Sequence, residues 1–343
     1  MSDHEKYMQR CIDLARKGLG NTYPNPMVGS VIVHNDEIIG EGYHQKSGES
    51  HAEINAINSV KDKSLLTEST LYVNLEPCCH HGKTPPCSDH LIEKNIKNVV
   101  IGCKDLSSKV NGKGIEILKN SNCKVIENIL EEPCKELNKR FFTYNQKKRP
   151  YVILKWAQTK DGFFAPKDNQ QLWITNEKTK QMVHKWRAEE QAIMVGFNTA
   201  KIDNPKLDVR VVEGENPVRI TVDKNLDLPA ELHLFNDKGQ TIVFNSIKNE
   251  IANNINYVTI DFQANFPNQI LNNLYTLEIQ SLIIEGGAKT LNSFIEHELW
   301  DEARIFIGQK EITEGIKAPK LDLDPTSKEN ISGDELLIYN CKF

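Results

Sequence analysis

Side chains suited to holding a metal ion and moving protons lie between positions 51 and 87 of the sequence. His51 offers an imidazole, Cys78 and Cys87 offer thiols, and Glu53 offers a carboxylate close to the imidazole. One imidazole and two thiolates can bind Zn2+, and a zinc site that performs hydrolysis keeps its fourth position open for water. A carboxylate outside the coordination shell can then shuttle protons. The pattern predicts a catalytic zinc site with its own general base.

The spacing of the cysteines leaves the ligand set open. Zinc deaminases usually separate their two cysteines by two residues, whereas Cys78 and Cys87 enclose eight. His81 stands at the usual two-residue spacing from Cys78, and Cys79 is adjacent to Cys78, so either could replace Cys87. We favour Cys87, because the two prolines directly before it stiffen its approach to a predicted helix.

Two other interpretations of these residues involve no catalysis. Ser50 and Glu53 have the spacing of a capping box, in which Ser50 caps a helix whose first turn begins at His51. A structural zinc site would need a fourth protein ligand, which His80 or His81 could supply. The combination of His-x-Glu with two Pro-Cys elements favours catalysis over both.

The elements around these residues alternate between helix and strand. Apolar residues at helical spacing end at Gly18, and two extended runs flank a turn at Asn35 and Asp36. The predicted elements of this half are, in chain order, a helix at 7–17, hairpin strands at 28–33 and 37–40, a strand at 70–75, a helix starting at 88, strands at 98–103 and 124–126, and a closing helix at 131–144. Such alternation predicts a three-layer α/β sandwich.

A second α/β domain is predicted after a linker at 146–150. It opens with a buried strand, and a helix capped by Thr175 or Asn176 runs through Arg187. The predicted strands of this half cover 151–157, 192–195, 219–222, 241–244, 257–260 and 281–285.

Two glycines after the last of these strands carry a possible binding function. Gly286 and Gly287 stand between the strand and a helix that runs through Phe294. Glycines in this position let backbone amides approach a phosphate at the helix N-terminus. A tight turn without a ligand is the alternative.

Length and composition limit the class of protein. With 343 residues, 39% hydrophobic and 26% charged, the chain is long enough for two soluble domains. No apolar run approaches a membrane span, and the first residues lack the apolar stretch of a signal peptide, so we expect a cytoplasmic protein. A net charge of -5 argues against a surface that coats nucleic acid. The eight cysteines are too scattered to suggest a disulfide framework.

The stretch from Glu76 to Cys87, with the sequence EPCCHHGKTPPC, resembles the long zinc loop of the bifunctional deaminase and reductase family of riboflavin biosynthesis. In that family a Gly-Lys-Thr-Pro-Pro-Cys segment is inserted that other cytidine-deaminase-like enzymes lack. The resemblance implies a cytidine-deaminase-like three-layer α/β/α domain with zinc bound by His51, Cys78 and Cys87. It also implies deaminase substrate contacts from Asn25, His44, Lys83 and Asp105.

Two of these substrate contacts lie in loops with a distinctive sequence. Asn25 stands between two prolines, which predicts a rigid extended loop that presents its amide to a ligand, with a plain turn as the alternative. Asp105 is followed by Ser107 at the place where the family usually has an asparagine. The shorter hydroxyl can still form a hydrogen bond.

The second half resembles the reductase domain of the same family, which is dihydrofolate-reductase-like and uses NADPH. The matching motifs, in family order, are Lys155-x-Ala157, Trp173-Ile174-Thr175, His184-x-x-Arg187, Val195-Gly196-x-x-Thr199 and Glu285-Gly286-Gly287. The resemblance implies cofactor contacts from Gln158, Trp173, Thr199, Asp203, Gly287, Ala288, Lys289, Thr290 and Leu291. It implies reductase substrate contacts from Gln171, Arg187, Leu207, Arg210 and Glu285.

The two arginines in this set have forked donors that could clamp a ribose phosphate. Arg187, on a predicted helix, could equally be a salt-bridge partner at the surface.

The resemblance implies two activities on one chain. Residues 1–146 would deaminate a phosphoribosylamino-diaminopyrimidine hydrolytically with zinc, and residues 151–343 would reduce its ribose to ribityl with NADPH. The expected partners are pyrimidine nucleotides and further copies of the chain in a homo-oligomer, with neither nucleic acid nor membrane. Two other classes stay open. One is a nucleic-acid base deaminase with a binding module, which the acidic charge disfavours; the other is a zinc-stabilised scaffold without an open coordination position.

Overall fold

The computed structural model describes residues 2–81, 85–167 and 172–341. The chain divides into two units, Met1–Lys148 and Arg149–Phe343. Each unit has its own central sheet and its own hydrophobic cores.

Alternating apolar residues form the strands of the first unit. These are β1 (Gly29–His34), β2 (Glu37–Tyr43), β3 (Thr70–Leu75), β4 (Asn98–Cys103) and β5 (Lys124–Ile126). They form one sheet in the order β2-β1-β3-β4-β5, in which β1 runs antiparallel to both neighbours and β3, β4 and β5 run parallel. Asn35 and Asp36 close the hairpin with φ angles of 48° and 63°, which suit a tight two-residue turn.

Helices cover both faces of this sheet. They are α1 (Asp3–Ala15), α2 (Ala52–Ser59), α3 (Cys87–Glu93), α4 (Lys113–Asn120), α5 (Glu131–Leu137) and α6 (Lys139–Lys147), with short 3-10 turns at Arg16–Gly18 and Lys63–Glu68. Because side chains alternate along a strand, Val31 packs with α1, α5 and α6, whereas its neighbour Ile32 packs with α2, α3 and α4. The two cores confirm the predicted three-layer arrangement.

Some helix boundaries differ from the sequence prediction. The first helix begins at Asp3 instead of position 7, because Ser2 and Glu5 form a capping box at its start. The closing helix is two helices, α5 and α6, which meet at Asn138. The second of them continues to Lys147 and therefore includes the first residues of the predicted linker.

The break at Asn138 has a partner far away along the chain. The buried side-chain amide of Asn138 accepts from the N–H of Met27 (2.8 Å) and donates to its carbonyl (2.9 Å). Asn74, on β3, donates to the same carbonyl (3.2 Å) and accepts from the N–H of Gly29 (2.8 Å). The two amides satisfy buried backbone groups and thereby fix the segment that leads from the Asn25 loop into β1.

The second unit is built around a larger sheet. Its strands are β6 (Tyr151–Gln158), β7 (Phe163–Ala165), β8 (Ala192–Val195), β9 (Val218–Val222), β10 (Thr241–Asn245), β11 (Glu250–Ala252), β12 (Ile255–Thr259), β13 (Ser281–Glu285), β14 (Glu302–Ile307), β15 (Ile316–Lys317), β16 (Ser327–Ile331) and β17 (Asp334–Asn340). Ten of them form one sheet in the order β11-β12-β10-β9-β8-β13-β6-β14-β17-β16, and β7 pairs separately with β15. The strands from β12 to β14 in this order run parallel.

The helices of the second unit are α7 (Glu177–Glu189), α8 (Phe197–Asp203), α9 (Phe266–Thr276) and α10 (Ala288–Glu296), with a 3-10 turn at His233–Phe235. Alternate residues of the central strands again face two cores. Ile284 of β13 packs with α9 and α10, whereas Ile283 packs with α7 and α8. This is the mixed α/β fold that the sequence predicted for the second half.

The local predictions for this unit are largely confirmed. The side chain of Asn176 accepts from the N–H of Thr179 (3.1 Å), so it is the cap of α7. The strand predicted at 257–260 is β12, which begins and ends earlier. The C-terminal strands β14, β16 and β17 were not predicted, because their sequences mix charged and apolar residues without a regular alternation. In the part of the chain that the structure describes, every helix is too short or too polar to cross a membrane.

We predict that Asn138→Ala destabilises the first unit, because it leaves the N–H of Met27 buried without its partner. The expected loss of unfolding free energy is about 2 kcal/mol. Native-state hydrogen exchange of the β1 amides would measure it.

Asn145→Ala is the matched control, since that amide donates to a carbonyl of its own helix, Phe141. The anchoring role of Asn138 is wrong if the two variants differ by less than about 0.5 kcal/mol, the usual scatter of surface substitutions.

Candidate active sites

The candidate residues of the first unit converge at one edge of its sheet. β3 and β4 run parallel, so the chain leaves both strands at the same edge, where the segments after Leu75 and Cys103 begin. β2 ends at this edge too, because β1 runs antiparallel to both β2 and β3. His44 follows β2 directly, and the Asn25 loop enters β1 from the same side. Segments far apart in sequence are thus brought together by strand direction alone.

His51, Cys78 and Cys87 form a group of potential metal ligands at this edge. One donor atom from each lies within 4.8 Å of the other two. The Nδ1 atom of His51 is 3.2 Å from the Sγ atom of Cys87 and 3.5 Å from that of Cys78. An imidazole and two sulfur atoms at such separations are the donor set that zinc prefers in proteins. The residues present therefore fit a zinc ion.

The two thiols differ in how easily they lose a proton. Hydrogen bonds from the Cys87 side chain and from His51 lower the pKa of the Cys78 thiol to about 4, against the opposing effect of burial. The N–H of Cys87 also donates to the Cys78 sulfur (3.3 Å). The pKa of Cys87 is raised, because its thiol donates to Cys78 and because it is buried. Cys78 is thus already stabilised as the thiolate that a metal ion needs.

The alternative ligands do not join this group. His81 is exposed, and the thiol of Cys79 points to the carbonyl of Lys109 at 3.9 Å. Among the described residues, the potential metal group contains three ligands and not the four of a structural zinc site. Of the candidate side chains, Cys87 is therefore the one whose sulfur joins the group formed by His51 and Cys78.

Glu53 lies beside the three ligands and does not cap its helix. The N-cap of α2 is His51 instead of the predicted Ser50, and no side chain makes a capping hydrogen bond there. The capping-box interpretation is therefore wrong. Glu53 is only 3% exposed, and burial, followed by the charge of Cys78, raises the pKa of its carboxyl. A raised pKa makes the carboxylate a stronger proton acceptor than an exposed glutamate.

Asn25 and His44 contact each other. The amide Nδ2 of Asn25 lies 3.0 Å from Nε2 of His44, and Nδ1 of His44 lies 3.2 Å from the carbonyl of Ser50. Because a carbonyl can only accept, the proton of the imidazole belongs on Nδ1, and Nε2 accepts from Asn25. Burial lowers the pKa of His44, which keeps the ring neutral. The N–H of Asn25 bonds to the carbonyl of Thr22 (2.8 Å), so the loop is a turn and not extended as predicted.

Asp105 lies at the start of the segment that follows β4. It is buried, and burial raises the pKa of its carboxyl, while hydrogen bonds from Ser107 oppose that effect. The N–H of Ser107 donates to Asp105 at 2.7 Å. Ser107 thus supports Asp105 through both its backbone N–H and its hydroxyl. Lys83 falls outside the described residues.

Glu76 organises this edge, although the sequence indicated only that it ends a strand. Its carboxylate is buried and accepts four backbone N–H groups. They belong to Asp105 (3.1 Å), Gly112 (3.0 Å), Gly114 (2.9 Å) and Ile115 (3.2 Å). One side chain thereby fixes the Asp105 segment and the start of α4 to the residue two positions before Cys78. Its position between a strand and Pro-Cys is the signal that could have indicated such a role.

In the second unit, the candidate cofactor residues lie at the carboxyl ends of two neighbouring parallel strands. β8 leads through Gly196 into α8, and β13 leads through Gly286 and Gly287 into α10. Because β8 pairs with β13 in parallel, the two helix starts lie side by side. Ligands of open α/β sheets bind at such carboxyl ends.

Glycines keep the space between these helix starts open. A Cβ atom on Gly287 would lie 3.3 Å from Oγ1 of Thr199, 3.4 Å from Oγ1 of Thr290 and 3.7 Å from the Cα of Gly196. A Cβ atom on Gly196 would collide with Thr290. Gly286 and Gly287 have φ angles of 91° and 79°, which other residues rarely adopt. The cradle between two helix N-termini fits the phosphates of a dinucleotide such as NADPH.

The other predicted cofactor residues lie on several elements of the second unit. Trp173 is 58% exposed, with the Nζ atom of Lys180 4.5 Å from its ring centroid. Gln158 ends β6 and accepts from the indole of Trp156 (3.0 Å), and Asp203 ends α8 at the surface. Ala288 and Lys289 begin α10, whereas the side chain of Leu291 is fully buried in the core. Leu291 could therefore reach a ligand only through its backbone.

Three of the residues beside the cradle form a buried network of charges. The Nε and Nη2 atoms of Arg187 donate to the two carboxylate oxygens of Glu285 at 3.0 and 2.7 Å, and Nζ of Lys155 lies 3.8 Å from the same carboxylate. Burial alone would raise the pKa of Glu285, but the cations of Arg187 and Lys155 outweigh it and hold the pKa at about 2. Burial lowers the pKa of Lys155. The fork of Arg187 is thus already engaged by protein.

The remaining predicted substrate residues lie on the segment after α8. Arg210 forms an ion pair with Asp208, whose carbonyl lies 3.5 Å from Nη1 of Arg187. The side chain of Leu207 is buried in the core, so only its backbone could contact a ligand. Gln171 falls outside the described residues. The sequence alone could not show that Arg187 and Glu285 bind each other, because 98 residues separate them along the chain.

Two family models match the chain. Residues 1–103 match the cytidine and deoxycytidylate deaminase zinc-binding region, and residues 150–323 match the RibD C-terminal domain. The second half is therefore not the nucleic-acid-binding module of the alternative interpretation. The RibD riboflavin biosynthesis protein of Aquifex aeolicus is 41% identical over 350 residues, which cover 98% of this chain and 97% of that protein. The Escherichia coli RibD protein is 31% identical, with coverage of 89% and 88%.

Solved structures agree with this assignment over the whole chain. One is the diaminohydroxyphosphoribosylaminopyrimidine deaminase and 5-amino-6-(5-phosphoribosylamino)uracil reductase of Thermotoga maritima, with a TM-score of 0.90, 38% identity and 99% of both chains covered. Acinetobacter baumannii RibD has a TM-score of 0.89, 31% identity and 98% coverage of both chains. The chain belongs to the RibD family of riboflavin biosynthesis, and it combines a zinc-dependent deaminase with an NADPH-dependent reductase.

Proposed function

We propose that His51, Cys78 and Cys87 are the zinc ligands of the deaminase and that Glu53 is its proton shuttle. The observation that carries the proposal is the burial of Glu53 directly beside a group of one imidazole and two sulfur donors. The family model for a zinc-binding region matches residues 1–103, which include all four of these residues. A structural zinc site would not need a buried carboxyl without a helix-capping role.

The substrates follow from the relative in Thermotoga maritima, whose name gives both reactions. We propose that the first unit of this chain deaminates diaminohydroxyphosphoribosylaminopyrimidine. The second unit then reduces the ribose of 5-amino-6-(5-phosphoribosylamino)uracil to ribityl. Residues 1–146 would carry out the deamination and residues 151–343 the reduction.

Deamination replaces an amino group on the pyrimidine ring by oxygen from water and releases ammonia. Zinc held by the three ligands supplies the Lewis acidity that makes water acidic enough to react near neutral pH. Glu53 takes the proton of the attacking water and delivers it to a ring nitrogen. It then moves the remaining proton of the added hydroxyl to the amino group, so that the carbon–nitrogen bond breaks, ammonia leaves, the oxygen stays as the ring carbonyl and the carboxylate is regenerated. The raised pKa of Glu53 suits a group that is protonated and deprotonated in each cycle.

Asn25, His44 and Asp105 are the proposed substrate contacts that the structure describes. His44 accepts from Asn25, which directs the carbonyl oxygen of that amide away from the imidazole. Asn25 can therefore accept from an N–H or O–H group of the nucleotide, and neutral His44 fixes its orientation. Asp105 is held by Glu76 through its backbone and can accept from an amino group of the base. Lys83 would add a cation for the phosphate.

For the reductase, we propose that the glycine cradle binds the phosphates of NADPH, with Thr199 and Thr290 as hydroxyl donors. NADPH supplies the reducing equivalents for the ribose carbon. Glu285 stays ionised beside Lys155 and Arg187, so the substrate enters a site whose charges are fixed in advance. The proposed contacts to the sugar phosphate of the substrate come from the region of Arg187 and Arg210.

We further propose that the protein acts in the cytoplasm as a homo-oligomer. All eight cysteines are free thiols, the state that a reducing compartment maintains. Sedimentation of the purified protein would test the oligomeric state.

Cys87→Ser should remove the metal, because a hydroxyl is a much poorer zinc ligand than a thiolate. We expect the zinc content to fall from about one ion per chain to near zero, with loss of ammonia release. Atomic emission spectroscopy of the purified protein would measure the metal. His81→Ala is the matched control and should keep full zinc. The reverse pattern would show that His81 is the ligand.

Glu53→Gln should fold and keep its zinc but lose deamination, since an amide cannot shuttle protons. We expect ammonia release to fall by at least about a hundredfold, the contribution of general acid-base catalysis. The exposed Glu68 offers a control, and Glu68→Gln should leave the rate unchanged. Near-normal ammonia release by Glu53→Gln would exclude Glu53 as the proton shuttle.

Gly287→Leu should abolish reduction while ammonia release continues, because a side chain there fills the cradle. Any side chain also strains a backbone with φ of 79°, so the milder variant Thr199→Val separates the two effects. It removes one hydroxyl at nearly constant volume. We expect it to weaken NADPH binding by roughly tenfold, the cost of one hydrogen bond to a charged group. Unchanged NADPH affinity in both variants would mean that the cofactor binds elsewhere.

A further inference from the structure

The carboxylate of Glu76 closes a loop of the first unit at both of its ends. The loop comprises residues 105–112 and connects β4 to α4. The Oε2 atom of Glu76 accepts from the N–H of Asp105 at the start of the loop (3.1 Å) and from the N–H of Gly112 at its end (3.0 Å). The Oε1 atom accepts from two N–H groups in the first turn of α4 (2.9 and 3.2 Å). One side chain therefore determines where the loop begins and where it ends.

The surroundings of this carboxylate are tightly packed. Glu76 is buried, and a buried carboxylate is costly unless its oxygens accept hydrogen bonds, which the four backbone N–H groups provide. The start of α4 lies so close to the segment after β3 that a Cβ atom on Gly114 would collide with the carbonyl oxygen of Pro77. A change in the Glu76 side chain is therefore transmitted directly to the loop.

The loop that Glu76 closes lies beside the proposed zinc site. Its first residue, Asp105, is buried and close enough to Cys78 that the charge of that thiolate, after the larger effect of burial, raises the pKa of its carboxyl. Further along the loop, the carbonyl of Lys109 accepts from the thiol of Cys79 at 3.9 Å. The position of the loop therefore affects which groups of a nucleotide can be bound next to the metal ligands.

Cys78 itself is fixed by other hydrogen bonds. The N–H of Cys87 donates to the Sγ atom of Cys78, and the N–H of Ser88 donates to its carbonyl (3.1 Å). The proton shuttle, Glu53, lies on α2. The contacts of Glu76 are thus directed to the loop and to α4, and the group of metal ligands has its own support.

We propose that Glu76 is a positioning residue of the deaminase, which holds Asp105 where it can bind the base and thereby sets the affinity for the nucleotide. This inference rests on the proposed function of the first unit. Glu76 acts through the backbone of the loop and touches neither metal nor nucleotide. Because the loop is ordered before the nucleotide arrives, binding does not have to supply the free energy of ordering it. Metal binding and proton transfer proceed without Glu76.

Glu76→Gln tests this role at nearly constant volume. The amide has one oxygen and one NH2 group, which cannot accept, so two of the four backbone N–H groups lose their acceptor. We expect the KM for the diaminopyrimidine nucleotide, measured by ammonia release, to rise at least about tenfold, the loss expected for one hydrogen bond to a charged group. The kcat and the zinc content should stay close to those of the unmodified protein. A lower kcat with an unchanged KM would indicate loss of folded enzyme and would overturn the proposal.

A double-mutant cycle shows whether Glu76 acts through Asp105. Asp105→Asn alone should raise the KM, and adding Glu76→Gln to it should raise the KM by less than about twofold more, because the contact that Glu76 positions is already lost. Independent effects that multiply in the double variant would overturn the proposal. An unchanged KM in Asp105→Asn would overturn the proposed substrate contact and this inference with it. If the unmodified protein releases no ammonia from the nucleotide, the proposed deaminase function itself is wrong.

Asp223→Asn is the matched control, since this buried carboxylate of the second unit also accepts from backbone N–H groups, those of Asp227 and Leu228 (both 2.9 Å). It should leave the KM for deamination unchanged. An equal rise in KM in this variant would overturn the proposal.

A further measurement does not require Glu76→Gln to fold. In the unmodified protein with zinc bound and no nucleotide present, the amides of Asp105 and Gly112 should exchange their hydrogens at least about a hundredfold more slowly than unprotected amides. Hydrogen exchange followed by NMR would measure these rates. Exchange at the unprotected rate would show that Glu76 does not hold the loop and would overturn the proposal.

Discussion

Parallel strands end at the same edge of a sheet, so the loops that follow them meet there. Both units depend on this constraint. In the first unit, the ends of β2, β3 and β4 and the start of β1 share an edge, where the proposed zinc ligands and Glu53 meet. In the second unit, β8 and β13 end side by side, so two helix N-termini face one glycine cradle. The hydrophobic cores hold the strands, and the strands fix the loops. Chemistry that needs groups from distant parts of the sequence therefore requires little further organisation.

The two units use buried carboxyl groups in opposite ways. At Glu53, burial and the charge of Cys78 outweigh the opposing charge of His51 and raise the pKa of the carboxyl. Glu285 is just as enclosed, but Arg187 and Lys155 hold its pKa at about 2. The first carboxyl can exchange protons during a reaction, whereas the second is a fixed charge that orients its neighbours. The proposed roles of the two carboxyl groups, proton transfer for Glu53 and preorganised electrostatics for Glu285, thus follow from the strength of the adjacent cations.

The sequence was sufficient for the features that depend on local pattern or on family motifs. The strands at 70–75, 98–103 and 192–195 and the cap at Asn176 follow from side-chain alternation and helix-start chemistry. The proposed zinc ligands are a prediction from cysteine spacing and proline content.

Features that depend on long-range partners were not predictable in the same way. The break at Asn138 exists because its amide binds Met27, more than a hundred residues earlier. The capping role of Ser50 was wrong because the backbone makes His51 the N-cap, and no periodic pattern distinguishes the two. The Arg187–Glu285 pair and the four hydrogen bonds to Glu76 also join residues that only the folded sheet brings together.

The segment between Cys78 and Cys87 begins and ends at fixed points. The N–H of Ser88 donates to the carbonyl of Cys78 (3.1 Å), and the N–H of Cys87 donates to the sulfur of Cys78 (3.3 Å). Hydrogen bonds therefore link the two ends of the segment directly. Closing a longer loop costs only about 0.6 kcal/mol for each doubling of its length. A change in the length of this segment should therefore alter the free energy of unfolding little, because the hydrogen bonds that position Cys78 and Cys87 lie at its two ends.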